Sequence, residues 1–331
     1  MRFLRFIVIV VVLALAGAGA VAWTWYHEPL PLPASPFAFE VKQGATLSSV
    51  ARQLHDAGVL PHTLALVALG RFHSVDRAIK AGSYEVESGV TVPHLLAKLT
   101  QGDVTQSGLT IVEGTTIADV LKTIASMPAL SHARGASSET DLKAQLAITE
   151  PSLEGLVFPD TYSFATGSSD VALLKRAHAA LASRLAAGWE KRAPDLPFAT
   201  PYEALILASI VEKETGRASD RPTIASVFVN RLKRGMRLQT DPTVIYGLGD
   251  KFDGNLGKRD LETDTPYNTY TRDGLPPTPI SLPSQASLDA VLNPPSTSFL
   301  YFVSRGDGTS EFSTNLADHN RAVSKYQKSG R

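Results

Sequence analysis

An uninterrupted apolar run from Phe6 to Trp23 constrains this chain more than any other feature. Eighteen residues at about 1.5 Å each reach some 27 Å, close to the roughly 30 Å hydrocarbon core of a bilayer. A single segment in lipid satisfies its own backbone only as a helix. Arg2 and Arg5 precede the run, and Trp23, Trp25 and Tyr26 follow it as a collar of the kind found at a membrane–water interface. The expectation is a single-pass anchor with its basic tip inside and the rest of the chain outside the cytoplasm. A cleaved signal peptide is the competing reading, because Ala16-Gly17-Ala18 and Ala18-Gly19-Ala20 are small-residue sites. The length of the run and the collar favour the anchor.

Over the whole chain 32 basic and 32 acidic residues cancel, which argues against a nucleic-acid-binding surface and against dependence on anionic lipid. The absence of cysteine excludes disulfides and thiolate metal sites. The eight histidines show no paired helical spacing, and neither a phosphate loop nor a Gly-x-Ser-x-Gly elbow occurs. No cofactor and no metal are therefore expected. The segment from Glu28 to Pro36 alternates proline with small and apolar residues and reads as a stiff spacer.

A short unit then recurs. Val41-x-x-Gly44-x-Thr46-Leu47-x-x-Val50 is matched by Val86-x-x-Gly89-x-Thr91-Val92-x-x-Leu95 and by Ile111-x-x-Gly114-x-Thr116-Ile117-x-x-Val120. Each reads as a strand, a glycine turn and a threonine that caps a helix. Their unequal intervals rule out a solenoid and point to packed strand-helix modules in an α+β fold.

Further on, Thr200-Pro201-Tyr202-Glu203 reads as a capping box with proline at the first helical position, and Gly216 supplies a stop. Ala204 to Val211 has no polar face, so this helix is expected to be buried on all sides. Two glutamates end it. Glu214 lies three and four residues after Val211 and Ile210 and continues the bulky stripe, whereas Glu212 follows Ala208 and Ser209. Glu214 is thus the candidate for a desolvated carboxyl group of raised pKa, suited to general acid work. The alternative is that both glutamates decorate a solvent-facing helix end beside Lys213 and Arg217.

Phe39 to Ala51, with Gly44 and Thr46 at its centre, resembles the opening of a LysM domain, a strand-helix-helix-strand module that binds N-acetylglucosamine-containing glycans. The resemblance covers residues 37–105 and includes an extra stretch, Leu64 to Gly70. Ala208 to Thr215, Ala225 to Leu232 and Gly235 to Gly247 are similar to the endolytic murein transglycosylase family (MltG, YceG-like). Phe158-Pro159-Asp160-Thr161-Tyr162, Tyr267-Asn268-Thr269-Tyr270, Gly274-Leu275-Pro276-Pro277 and Asn315-Leu316-Ala317-x-His319-Asn320 extend that likeness over nearly the whole chain. The resemblance implies Glu214 as the catalytic residue and peptidoglycan glycan strands as substrate. It implies cleavage between N-acetylmuramic acid and N-acetylglucosamine to leave 1,6-anhydromuramyl ends, at the cytoplasmic (inner) membrane with the ectodomain in the periplasm. Peptidoglycan synthases are candidate partners.

Gln239, Thr240 and Asp241, with Tyr267, Asn268 and Tyr270, are the candidate substrate-binding residues. Asp241-Pro242 also reads as a helix cap, and the tyrosine segment also reads as a loop plug. Asn230 and Arg231 read equally as loop anchors or ligand contacts, and His319 reads as a structural hydrogen-bonding residue. The expected organisation is an anchor over 1–26, a spacer over 27–36, the LysM-like region over 37–105, connecting modules over 106–197, a catalytic core over 198–326 and a tail over 327–331. Two rival functions are a non-catalytic glycan-binding scaffold and a murein hydrolase with Asp241 or Glu262 as second carboxylate.

Overall fold

The computed structural model describes residues 2–42, 44–102, 106–132 and 138–327, without the side chains of residues 2–5, 8, 18 and 106. The side chains of Arg2 and Arg5, the boundary near residue 105 and residues 328–331 of the tail lie outside what is described. The chain forms two compact units, one made of Met1–Ser107, Ala129–Ser131 and Ser163–Ser168, the other of Gly108–Pro128, His132–Tyr162 and Ser169–Arg331.

The first unit opens with α1 (Arg2–His27), whose stretch Ile9–His27 is long and apolar enough to cross a membrane, with a mean hydropathy of 1.8. Then come β1 (Phe37–Val41), α2 (Leu47–Asp56), α3 (Thr63–Phe72), β2 (Gly82–Val86) and α4 (Val92–Gln101). β1 and β2 pair antiparallel with Phe39 opposite Tyr84. Alternation along β1 turns Phe39 and Val41 inward, onto Val50, Leu54, Leu66, Leu95 and Leu99 from the helices.

The proline-rich segment is not a free spacer. Leu30 is buried, Leu32 and Trp25 pack against the same core, and the Leu30 N–H donates to the Val90 carbonyl at 2.7 Å. Prolines fix an extended backbone, but the leucines between them find an apolar surface, and full burial of a leucine such as Leu30 is worth about 1.5–3 kcal/mol.

The recurring turns are built as the sequence suggests. Gly44, Gly89 and Gly114 have φ of 79°, 92° and 73°, the left-handed region that a β-carbon disfavours. Thr46, Thr91 and Thr116 each stand at a helix N-cap. Thr46 and Thr116 accept from the third helical N–H and complete capping boxes with Ser49 and Asp119. The Thr91 hydroxyl instead meets His94 Nδ1 at 3.2 Å.

The residues of β3 (Gln106–Thr110), β5 (Thr161–Ala165) and β6 (Ser168–Ser169) are divided between the two units, and β4 (Leu130–Ser131) belongs to the first. The second unit contains α5 (Ile117–Ala125), α6 (Glu139–Leu146) and α7 (Asp170–Glu190). Next are α8 (Pro201–Glu214), α9 (Arg221–Lys233), α10 (Asp241–Leu248), α11 (Lys258–Glu262) and α12 (Gln285–Leu292). β7 (Tyr301–Ser304), β8 (Ser310–Ser313) and α13 (Leu316–Tyr326) close it. The scaffold is α8, enclosed by α7, α9, α10 and α12. Every residue of it from Ala204 to Glu212 is buried, as the absence of a polar face requires. Ser209 is the one polar side chain within the apolar run, and it is spent: its hydroxyl donates to Ile206 O and accepts from Ile280 N–H at 3.0 Å. At the start of α8 the Thr200 hydroxyl accepts from Glu203 N–H, but the Glu203 carboxylate reaches past the cap to Ala199 N–H. The expected reciprocal box is thereby opened by one residue.

Candidate active site

The two glutamates that end α8 meet different surroundings. Glu212 is 9% exposed, contrary to what its place behind Ala208 and Ser209 suggests. Its Oε2 accepts from the Ser284 N–H, the Ser284 hydroxyl and the Ser287 hydroxyl at 2.9, 2.5 and 2.7 Å, and its Oε1 accepts from Arg221 at 2.9 Å. Helical phase assigned Glu212 to the small-residue side correctly. That side is simply covered by the start of α12.

Glu214 is partly exposed. Its Oε1 accepts from the Thr240 hydroxyl, and among the described residues no other hydrogen-bond donor reaches its carboxylate. Removal from water raises its pKa to about 7, against the smaller lowering by the Thr240 hydroxyl. The Asp241 charge raises it further and the Arg231 charge lowers it. The balance is physical: burial disfavours the carboxylate, and one neutral donor with one cation does not compensate. Such an acid is half-protonated near neutrality.

The loop after α9 presents the Thr240 donor. Gln239 has φ 48°, an uncommon conformation for a side chain of its size. Its N–H donates to Thr269 O at 3.1 Å, and the Thr240 N–H donates to Thr269 Oγ1 at 3.1 Å. Thr240 is buried, whereas the Gln239 side chain is exposed. Asp241 opens α10 without capping it through its side chain, and its Oδ1 accepts from the Tyr270 hydroxyl at 2.5 Å. Buried Arg231 donates to Leu300 O at 2.7 Å and Leu238 O at 2.8 Å, pinning the loop from behind, and its guanidinium lies 5.2 Å from the Tyr301 ring centroid. His319 stacks on the same Tyr301 ring, at 5.2 Å between centroids. Burial and the Arg231 charge hold the His319 pKa down.

Thr240, Asp241 and Tyr270 thus gather with Glu214 through direct contact or mutual charge effects, whereas Gln239 is tied to the group only as the chain neighbour of Thr240 and through Thr269. Asn268 does not line a cleft. It is fully buried, donating to the carbonyls of Asp260, Leu261 and Thr263 at 3.2, 3.0 and 2.7 Å and accepting from Tyr270 N–H. Both amide hydrogens are spent on main-chain carbonyls and the side chain has no exposed surface for a sugar, which corrects the substrate-binding expectation in favour of the loop plug. Tyr267 belongs to the same plug: its hydroxyl pairs with Thr278 at 2.8 Å and its ring packs edge-on against Tyr246. Asn230 is a loop anchor, donating to the carbonyls of Thr297 and Phe299. Glu262 is exposed and paired with Lys258 at 3.5 Å.

Sequence reasoning missed Glu154. It is 1% exposed, accepts from Ile117 N–H at 3.0 Å and from the Tyr246 hydroxyl at 3.1 Å, and burial raises its pKa to about 7. The available signal was its position four residues before Phe158 in a matched motif, but periodicity gives no cue to a loop carboxylate. The glycine of the third recurring turn also serves this region, since the Gly114 carbonyl accepts from Lys213 Nζ at 3.1 Å. That contact fixes the residue between the two glutamates.

A carboxyl group raised toward neutrality, with a hydrogen bond to one oxygen at the end of a buried helix, has the features that acid–base work requires. The chain belongs to the YceG-like family, whose model matches residues 39–325. It is 31% identical over 308 residues to the endolytic murein transglycosylase of Bacillus subtilis, covering 86% of this chain and 83% of that protein. It is 28% identical over 325 residues to the protein of the same name from Streptococcus pneumoniae, covering 87% of this chain and 58% of that protein. The crystal structure of a yceG-like protein from Listeria monocytogenes, at 2.6 Å resolution, matches with a TM-score of 0.54 and 29% identity over 87% of this chain and 98% of that chain.

Proposed function

We propose that this protein is a lytic transglycosylase that cuts peptidoglycan glycan strands endolytically, with Glu214 as acid and then base. The observation that carries the reading is the Glu214 carboxyl group, raised to about 7 by burial and hydrogen-bonded on one oxygen by Thr240. In the first half of the reaction the Glu214 carboxyl donates its proton to the glycosidic oxygen as the bond to muramyl C1 breaks. In the second half the carboxylate takes the proton of the muramyl C6 hydroxyl, and O6 closes onto C1. Atoms balance without water, and the product carries a 1,6-anhydro ring. The nucleophile is tethered to the reacting sugar, so a positioned acid–base group suffices. Thr240 and Arg231 stabilise the intermediate carboxylate, while burial favours return of its proton.

The strand-helix-helix-strand layout from β1 to β2 supports the LysM-like reading of the first unit as a glycan-holding module. With α1 as a single-pass anchor in the cytoplasmic membrane and the chain after it on the outer side, the enzyme acts where strands are made, and peptidoglycan synthases are the proteins it meets. Asp241 keeps the hydrolase reading specific, because its charge reaches Glu214. Mass spectrometry of strands digested by the full chain and by Glu214→Gln decides among them. Anhydro ends from wild type and none from the variant are expected. Reducing ends would transfer the chemistry to an Asp241-assisted hydrolysis, and absence of cleavage by wild type would leave a scaffold.

A further inference from the structure

We propose that α3 is a surface-lying membrane helix, whose outward face Leu64, Ala68 and Phe72 beds into the outer bilayer interface beside the exit of α1. The inference rests on α1 being a membrane anchor.

α3 is apolar on both sides. One side supplies Ala65, Leu66 and Gly70 to the core of its unit. The other carries Leu64, Ala68 and Phe72, four residues apart and so drifting only about 40° per step around the helix. Leu64 is 68% and Phe72 83% exposed, the two most exposed large apolar side chains outside α1 among the described residues. A helix bound only to its own core would carry polar residues on that face. Arg71 is exposed at the end of the same stripe, where an interfacial helix meets lipid phosphates.

The position of the stripe selects the bilayer as its partner. Trp25, in the last turns of α1, packs against His62 at the N-cap of α3 with ring centroids 5.3 Å apart. Leu30 is already bonded to Val90 O three residues after α1 ends, so no slack separates anchor and unit. Trp23 and Tyr26 remain exposed on α1 at this level, where aromatic rings mark the interface. The headgroup layer on one side of a bilayer is about 5–8 Å thick, so the first turn of α3, in contact with Trp25, lies at or within it. Trp25 itself is thereby a brace between anchor and unit rather than part of the collar.

The absence of native cysteine allows a direct test. Leu64→Cys, Ala68→Cys and Phe72→Cys are each labelled with an environment-sensitive fluorophore in the full chain, reconstituted in phosphatidylethanolamine–phosphatidylglycerol vesicles. Leu13→Cys in α1 and Asp56→Cys at the exposed end of α2 serve as controls. Nitroxide-bearing lipid is expected to quench labels at 64 and 72 several-fold more than at 56, with aqueous iodide giving the reverse order. If Leu13→Cys is lipid-quenched while 64 and 72 respond to iodide as 56 does, the anchor stands and the α3 proposal is overturned. If Leu13→Cys is not lipid-quenched, the anchor reading fails and the proposal falls with it.

Discussion

Glu212 and Glu214 stand two residues apart at the end of one helix and meet opposite surroundings. Glu212 is the more enclosed, with four hydrogen bonds from Arg221, Ser284 and Ser287 occupying both oxygens. Glu214 is nearer solvent and has one, from Thr240. Burial alone would single out Glu212. What distinguishes an acid that can react is unspent hydrogen-bonding capacity next to a surface that substrate can reach. Glu212 ties α8 to α9 and α12 so that Glu214 is presented from a fixed base.

The sharpest way to break this contrast is to neutralise each residue in turn. Glu214→Gln should lower cleavage by about 10²–10⁴-fold, the usual range for a lost acid–base group, with the fold intact. Its stability effect has a definite sign. A carboxyl raised from 4.5 to about 7 contributes most below pH 4.5, and that contribution is lost as pH rises through 7. Above pH 7 the glutamine variant should therefore exceed wild type by up to about 3 kcal/mol in urea unfolding. Glu212→Gln should do the reverse. It leaves Arg221 buried without its counter-charge, at a cost of about 3–5 kcal/mol, and keeps near-normal turnover per folded molecule. A folded but inactive Glu212 variant would erase the distinction between the two sites.

Local grammar made part of this structure legible. The glycine–threonine turns at 44–46, 89–91 and 114–116 follow from left-handed φ and helix capping, which neighbouring residues decide. The burial of α8 and the direction of Glu214 follow from helical period. Features made by distant partners were not legible. Glu212 meets donors 72 and 75 residues away, Glu154 is held from Ile117 and Tyr246, and Leu30 is buried by a surface assembled from the helices of its unit. Asn268 illustrates the limit. An amide between two tyrosines looks like a sugar contact, and only the three carbonyls folded around it reveal a plug.

That plug provides the next largest effect. Asn268→Ala removes the buried amide that ties the carbonyls of Asp260, Leu261 and Thr263 together, which should cost about 1–3 kcal/mol. Thermal unfolding should show the loss, while KM for glycan strands stays close to wild type when activity is normalised to folded protein. A raised KM without loss of stability would return Asn268 to the substrate cleft and make the two sides of the loop equivalent.

The smallest effect tests the bond that gives Glu214 its character. Thr240→Val keeps the shape of the side chain and deletes the donor to Oε1. The hydroxyl lowers the Glu214 pKa, so its removal should raise it, and the basic limb of kcat/KM, which follows loss of the acid's proton, should move to higher pH by about one unit or less. Thr240→Ser should restore the wild-type profile. The same shift has a stability signature: above pH 7 the valine variant should lose up to about 1.4 kcal/mol more than wild type through this group. The difference from this cause should vanish below pH 4.5, where Glu214 is protonated in folded and unfolded chains alike. A basic limb that does not move would mean that the hydroxyl is not bonded to Glu214 in the working enzyme, and the contrast with Glu212 would then rest on exposure alone.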